Sequence, residues 1–489
     1  SELRSKCAGN NYLTDKERAL LKNLHPSSKE YKAIIALSDK RIDEYYNILS
    51  YDKFVNGLEH KTINFKNAVL IIDEVQNVVS EGGKRYQIIH EAIMKAPKDL
   101  KIILLSATPI FDKPVEIALT MNLLKLPKEI PVGIQFKNTF LKTKIVYDED
   151  ENGNVKKRVV IRPNNLNKFK KLIRGYVSYY RGAPSYVFPE YKIKYVKAVM
   201  SDFQYRSYLT VLDKEKEQVN NIIGLRAFRD AGIEDLPNDF YIGSRILSNI
   251  SFPNKDINAD GYESLNNTNL SMENLKKYSI KFYSILNKIK MSKGPVFIYS
   301  NFKEYGGIKS LVRVLEAHGY VDYLKYGEGK KRFALLQGGM SQRSRSEIKA
   351  VFNRFDNHKG GKIRIILGTP SIKEGISFLN LRQLHILEPQ WNVAKLLQIM
   401  GRGIRTCAHR DLPEEDRNIK IYIYLAVSSN PNENTVDKRI MKLALDKKKI
   451  VEPFEKILKS EAIDCKLFKY ANVDPNEEDI ECSDNSIQV

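Results

Sequence analysis

The chain has 489 residues, 42% of them hydrophobic, and carries 80 Lys and Arg against 59 Asp and Glu, for a formal charge of +21 and a pI near 9.4. That length and apolar content are enough for sizeable cores in two or three domains. No apolar run reaches bilayer-spanning length, no signal peptide is visible, and Cys7, Cys407, Cys465 and Cys482 lie far apart without a C-x-x-C pair; together these argue against a membrane protein, a zinc site or a disulfide framework, and for a soluble intracellular protein in a reducing compartment.

Residues 1–60 show mixed helical patterns, and Asn67 to Ile72 then reads as a strand buried on both faces of a parallel sheet. Asp73 and Glu74 close that strand. A carboxylate there can hold Mg²⁺ through water, which assigns Asp73 as the metal residue, and its neighbour Glu74 can activate an attacking water. Paired acids at a strand end are otherwise ordinary solvated loop residues. A helical stretch with Tyr86, Ile88, Ile89 and Ile93 follows, then a second buried strand, Lys101 to Leu105. It ends in Ser106-Ala107-Thr108, whose hydroxyls can hydrogen-bond the Asp73-Glu74 cluster. Catalytic-type residues at strand C-termini are how an open α/β sheet places a ligand.

From about residue 125 to 290 the pattern changes. Lys144–Tyr147 and Val155–Ile161 flank Asp150-Glu151-Asn152-Gly153, a hairpin signal with a type I′ turn. Asn258–Ser271 is polar and Asn-rich and reads as a flexible loop. Leu275, Tyr278, Phe282, Ile285, Leu286 and Ile289 recur at helical spacing. A second α/β lobe starts near Gly294. Its strands are Pro295–Tyr299, Phe333–Leu336, Ile363–Leu367, Gln383–Leu387 and Ile419–Val427, alternating with helices at 308–318, 343–354 and 392–400. Ser300-Asn301, Thr369 and Lys373 to Ser377 follow strands of this lobe and offer hydroxyls and backbone N–H groups to a phosphate of a bound strand. Gln398, Gly401, Arg402 and Arg405 end a helix, with both arginines able to reach one anionic target; the plainer reading is a basic helix end answering its own dipole. The glycines flanking Arg402 indicate close backbone approach. The end is helical to about Phe468 and acidic from Asp474, as a mobile tail would be.

Taken in order, these residues resemble the motifs of superfamily 2 helicases and translocases. Asp73-Glu74-Val75-Gln76 resembles motif II, Ser106-Ala107-Thr108 motif III, Ser300-Asn301 part of motif IV, Gly368-Thr369 to Ser377 motif V, and Gln398 to Arg405 motif VI. Gly339, Arg345 and Phe352-Asn353 match the pattern that precedes motif V, and Pro389-Gln390-Trp391-Asn392 is similar to the Swi/Snf branch of duplex-DNA translocases. Val177 to Gly182, Phe188-Pro189, Met200-Ser201, Gln204-Tyr205, His409 and Ala462 to Cys465 resemble the D-E-x-H ATPases of large cytoplasmic DNA viruses, the group of poxvirus nucleoside triphosphate phosphohydrolase I and the early transcription factor small subunit. Gln76 stands where that group usually has His. No G-x-x-x-x-G-K-S/T loop precedes Asp73, and neither Gly82-Gly83-Lys84 nor Gly327 to Lys330 substitutes for one, so a first segment on the order of a hundred residues is expected to be missing before Ser1.

The resemblance implies an α/β fold of two RecA-like lobes with parallel sheets, the first incomplete at its N-terminus. The expected divisions are residues 1–125 for lobe 1, 126–290 for a mixed insert, 291–430 for lobe 2 and 431–489 for a helical extension with an acidic tail. It also implies ATP and Mg²⁺, with Asp73, Glu74, Arg402 and Arg405 catalytic, Gln76, Ser106, Thr108, Gly375 and Gln398 at the ATP site or coupling it, and Ser300, Asn301 and Thr369 on nucleic acid. The implied activity is that of a viral DNA translocase or helicase acting in transcription, on double-stranded DNA, with viral RNA polymerase or transcription factors as partners, in virion and host cytoplasm and with no membrane. An RNA helicase is the alternative enzyme, and a non-hydrolysing nucleic-acid-binding scaffold the alternative of another class. As a fragment without the phosphate-binding loop, the chain is expected to be inactive alone.

Overall fold

The computed structural model describes residues 11–26, 28–149, 155–223, 241–371, 376–472 and 479–484. Two compact units result: residues 1–106 with 122–127, and residues 107–121 with 128–489.

The first unit holds three N-terminal helices, Asp15–Asn23, Lys29–Tyr45 and Tyr51–Glu59, each opened by a Ser or Thr whose side chain accepts a backbone N–H. Arg41 clasps Glu17 through two contacts of 2.8 Å, which ties the first helix to the second. Strands β1 (Val69–Asp73) and β2 (Lys101–Leu105) pair in parallel, with helix Lys84–Lys95 in the crossover. The expectation that these strands are buried on both faces is corrected. Leu70, Ile72, Ile102 and Leu104 face inward, whereas Val69 and Ile71 are 59% and 56% exposed and Ile103 and Leu105 also lie open. Side chains alternate between the faces of a sheet, and among the described residues only one face of this two-stranded sheet is covered.

In the second unit, β3 (Leu141–Glu149) and β4 (Val155–Pro163) form the expected antiparallel hairpin; the turn expected at Asp150 to Gly153 lies outside the described residues. Strand β5 (Glu190–Val199), β6 (Val296–Tyr299), β7 (Val321–Asp322), β8 (Arg332–Leu336), β9 (Ile365–Gly368), β10 (Gln383–Ile386) and β11 (Asn418–Val427) form one parallel sheet in the order β5-β11-β10-β6-β9-β8-β7. The central strands are apolar on both faces because both are covered. On one side, Phe282, Ile285, Leu286 and Ile289 of helix Ile280–Lys290 and Leu311, Val314 and Leu315 of helix Ile308–Ala317 pack on Ile298, Leu367 and Tyr424. On the other, Ile348 and Phe352 of helix Gln342–Phe352 and Leu396 and Ile399 of helix Val393–Met400 pack on Phe297, Ile366, Ile386 and Ile421. Helix Ile308–Ala317 ends as its glycine predicts: Gly319, at φ 78°, and Tyr320 return their N–H groups to Glu316 and Leu315.

Two further expectations are corrected. Asn258–Ser271 is an ordered segment, not a flexible loop. Asn258 caps helix Ala259–Glu263 through Gly261 N at 2.9 Å, Asn266 accepts from Asn269 N at 2.9 Å, and Leu265 and Leu270 drop into the core. The asparagines supply local caps and the two leucines anchor the path. Cys465 and Cys482 form a disulfide 17 residues apart, because Ser483 N donates to Ser460 O and folds the C-terminal segment back to the end of helix Val436–Ser460. Of the acidic tail, only residues 479–484 are described. No helix among the described residues is long and apolar enough to cross a membrane.

A buried ion pair fastens that last helix to the sheet. Lys281 Nζ, fully buried, donates to Asp437 Oδ2 at 2.7 Å, Leu387 O at 2.8 Å and Asn249 Oδ1 at 3.1 Å, while Asp437 Oδ2 also accepts from Ala426 N at 2.8 Å. Lys281→Met would strand the Asp437 carboxylate without its cation, and is expected to cost about 3–5 kcal/mol of stability. Urea unfolding measures it, and a loss below about 1 kcal/mol would remove this pair from the account.

Candidate functional site

In the first unit the site grows from the end of β1. Glu74 takes a left-handed conformation, φ 54° and ψ 49°, and a short 3-10 turn, Val75–Asn77, follows. An L-residue other than Gly adopts that conformation at some cost, so the surroundings must hold it there. The Tyr51 hydroxyl does so, donating to the carbonyls of Asp73 and Glu74. The bend turns Gln76 back into the unit, where it is buried. Its Nε2 donates to the Glu74 carboxylate, and its Oε1 accepts from Ser106 Oγ at 2.6 Å. Because Asp73 pairs with Leu105 in register, Ser106 emerges from β2 beside this turn. The serine therefore reaches the acid pair through Gln76, not directly. An amide offers a donor and an acceptor at once and does not itself titrate, as a histidine at that place would.

Asp73 is exposed, and its carboxylate has no described protein partner. No group of three His, Cys, Asp or Glu among the described residues could cage a metal. One free carboxylate at a strand end fits Mg²⁺, which keeps most of its waters and binds proteins through one or two carboxylates.

Thr108 parts from Ser106 and belongs to the second unit. There it lines a small cavity with Asp112, Asn392, Leu397 and Lys447, and Lys447 Nζ lies 2.7 Å from Asp112 Oδ1.

The rest of the second-unit site sits at the C-terminal ends of β6, β9 and β10. Helix Val393–Met400 is capped by Asn392, whose Oδ1 accepts from Lys395 N at 2.8 Å. Its spacing puts Lys395, Gln398 and Arg402 along one face. They line a cavity with Phe297, Tyr299, Thr369 and Pro370, so the structure brings Thr369, Gln398 and Arg402 together. Thr369 itself is buried, and its Oγ1 lies 2.7 Å from Ser371 Oγ, so its side chain, expected on nucleic acid, faces inward. Arg405 is elsewhere: it is exposed, and its Nε donates to Gly401 O at 2.9 Å, as a basic helix end does. Its terminal nitrogens meet no described partner. Gly403 is where the backbone comes close, since a Cβ there would lie 2.6 Å from Leu381 Cδ2. Gly375, with Lys373 and Glu374, lies outside the described residues.

Ser300 is corrected in its role. It is fully buried, and its Oγ donates to Glu388 at 2.6 Å, so its side chain does not face a bound strand. Asn301 remains partly exposed at the surface of this loop while its N–H donates to Glu388 Oε2 at 2.8 Å. Glu388 was not anticipated. It also accepts from Asn249 Nδ2 at 2.6 Å, and burial pushes its carboxyl above the usual carboxylate range against the pull of Lys281 and Ser300. Arg245, buried and therefore lowered in pKa, stacks on Phe302 at 5.1 Å and on Trp391 at 5.5 Å. A signal for Glu388 exists in the sequence: an acid closing an apolar strand, as Asp73 closes β1.

The family model for the helicase conserved C-terminal domain matches residues 279–407. A protein of Acanthamoeba polyphaga mimivirus named "Putative ATP-dependent RNA helicase" is 48% identical over 482 residues, covering 99% of this chain and 81% of its own. A second mimivirus protein of that description is 27% identical, over 88% of this chain and 64% of its own. A "Termination factor NPH-I homolog" of African swine fever virus is 25% identical, over 91% of this chain and 69% of its own. Among solved structures, the C-terminal part of the Fun30 ATPase domain aligns over 55% of this chain and 99% of its own, at 15% identity and a TM-score of 0.32.

Proposed function

The chain belongs to the superfamily 2 helicases of large DNA viruses, and from that membership we propose that it is the motor of an ATP-dependent translocase that tracks along duplex DNA during transcription. The observation that carries the ATP-hydrolysing part is the chain of hydrogen bonds from Ser106 through Gln76 to Glu74, beside the unpartnered Asp73 carboxylate.

In this reading Glu74 takes the proton of the attacking water, with Gln76 fixing the carboxylate's orientation. Mg²⁺ held through water at Asp73 would neutralise charge developing on the phosphates. Arg405, whose terminal nitrogens meet no described partner, is assigned to the transferring phosphoryl group, and Arg402 and Gln398, in the cavity beside Thr369, to the nucleotide as well. Ser106 and Thr108 link hydrolysis to the loops that follow, as does Gly375. Asn301 meets the nucleic-acid backbone, Ser300 holds Asn301 in place through Glu388, and Thr369, buried against Ser371 beside Gln398 and Arg402, couples that loop to the nucleotide. The basic excess of the chain adds a sequence-independent grip.

Duplex DNA is favoured by the Pro389-Gln390-Trp391-Asn392 segment, and a role in transcription by the termination-factor name of the swine fever virus relative. The second reading, an RNA helicase, rests on the names of the mimivirus relatives. A scaffold that no longer hydrolyses ATP is disfavoured by the joint presence of Asp73, Glu74, Arg402 and Arg405. The 489 residues contain no Gly-Lys-Ser/Thr loop, so activity is to be measured on the intact gene product. The test is displacement of a third strand from a DNA triplex. ATP-dependent displacement without unwinding of the duplex beneath is expected, whereas unwinding of RNA duplexes with no triplex displacement would favour the second reading.

A further inference from the structure

We infer that the β3–β4 hairpin is a second nucleic-acid contact, in which Lys142, Lys144 and Arg162 cradle backbone phosphates. The inference rests on nucleic acid as the ligand proposed above and adds a site that no helicase motif of this chain includes.

The root of the hairpin is firmly held. Phe140, the residue before β3, is fully buried with its ring 5.7 Å from Phe169, and Phe169 lies 5.2 Å from Phe454. Asn164 N donates to Phe140 O at 2.7 Å, and Asn165 Nδ2 donates to Thr139 O at 2.7 Å, which closes the base where β4 ends. From that base the described ribbon lies largely open: Lys142, Thr143, Lys144, Ile145, Tyr147 and Arg162 are exposed.

Alternation sorts these side chains by face. Lys142 and Arg162 are cross-strand partners in the register, and Lys144, two residues along, is diagonal to Arg162 on the same face. Two like charges directly opposite on an antiparallel ribbon repel each other and weaken the pairing. None of the three has an ion-pair or hydrogen-bond partner among the described residues that would relieve this. An anion lying across the ribbon would relieve it. Lys142 and Lys144 stand about 7 Å apart along the strand, close to the step between neighbouring phosphates of a nucleic-acid strand, so a polyanion fits the row better than an isolated ion. The opposite face carries Ile145 and Tyr147, 45% and 65% exposed. The tyrosine ring there can stack on a base, as aromatic side chains do in contacts that do not depend on sequence. A two-stranded ribbon is also of a size that a major groove admits.

The experiment is polynucleotide binding by the 489-residue chain across a salt series, read by fluorescence anisotropy with a short DNA duplex, a single-stranded DNA and a duplex RNA. The variant Lys142→Gln/Lys144→Gln/Arg162→Gln is compared with Lys325→Gln/Lys330→Gln/Lys359→Gln, which removes the same charge from exposed positions elsewhere. The hairpin variant should weaken duplex binding on the order of tenfold or more and flatten the slope of log K against log salt by roughly two to three, at about 0.9 per phosphate released. The control variant should change the slope by less than one unit, and Lys142→Arg/Lys144→Arg/Arg162→Lys should keep the wild-type slope. Equal losses in hairpin and control variants would reduce the effect to net charge and overturn the site. An unchanged slope in the hairpin variant would also overturn it and leave this face to a protein partner. A wild-type chain that binds none of the three polynucleotides would remove the nucleic-acid reading itself, and this site with it.

Discussion

Glu74→Gln in the intact gene product is expected to slow ATP turnover by about 10²–10⁴, with ATP affinity changed by no more than a few fold. The substitution is nearly isosteric. The amide keeps an oxygen that can accept from Gln76 Nε2, so the turn at Glu74 and the contact of Gln76 with Ser106 persist. What is lost is the capacity to take a proton. Single-turnover hydrolysis with pre-bound ATP isolates that step from binding and product release. Wild-type single-turnover rates in the variant would take Glu74 out of the chemistry. A variant that no longer bound ATP would assign it to binding instead.

How far the sequence disclosed this arrangement depends on the range over which each feature is decided. The central strands of the second unit were legible because runs such as Val296–Tyr299 and Ile365–Leu367 are apolar on both faces, and only a covered parallel sheet accommodates that pattern. Strand β5 was not, because Tyr191-Lys192-Ile193-Lys194-Tyr195 alternates like a solvated segment; its place at the sheet edge comes from pairing with β11, more than two hundred residues later in the chain. β7, with two residues, is too short to leave a pattern. Val69 and Ile71 misled in the opposite sense, since an apolar run signals a capacity for burial and not the neighbours that would supply it.

The site divides in the same way. Asp73, Glu74 and Ser106 stand at strand ends, so their proximity follows from parallel pairing alone. The relay through Gln76 needed the left-handed turn at Glu74, which the sequence Asp-Glu-Val-Gln does not disclose. Ser300 read as a residue available to a ligand because its hydroxyl follows a strand. Its true partner, Glu388, lies 88 positions away and is itself held by Asn249 of helix Ile242–Asn249. The Cys465–Cys482 bridge was illegible for a similar reason: the return of the chain to Ser460 decides it, not a cysteine spacing motif.

The second large effect concerns Arg405. Its Nε rests on Gly401 O, the residue is exposed and its terminal nitrogens meet no described partner, a disposition that leaves them available to an anion. Arg405→Ala is expected to slow hydrolysis by about 10³–10⁵, the range by which an arginine stabilising the transferring phosphoryl group accelerates phosphoryl transfer. DNA affinity at fixed salt should hardly move, because the arginine is assigned to the nucleotide. The most direct test of the account is therefore a paired measurement on this variant, DNA-stimulated ATP turnover alongside the salt dependence of DNA binding. Turnover is expected to be lost with the salt slope unchanged; turnover retained with the slope flattened by about one unit would place Arg405 on the nucleic acid instead of the nucleotide.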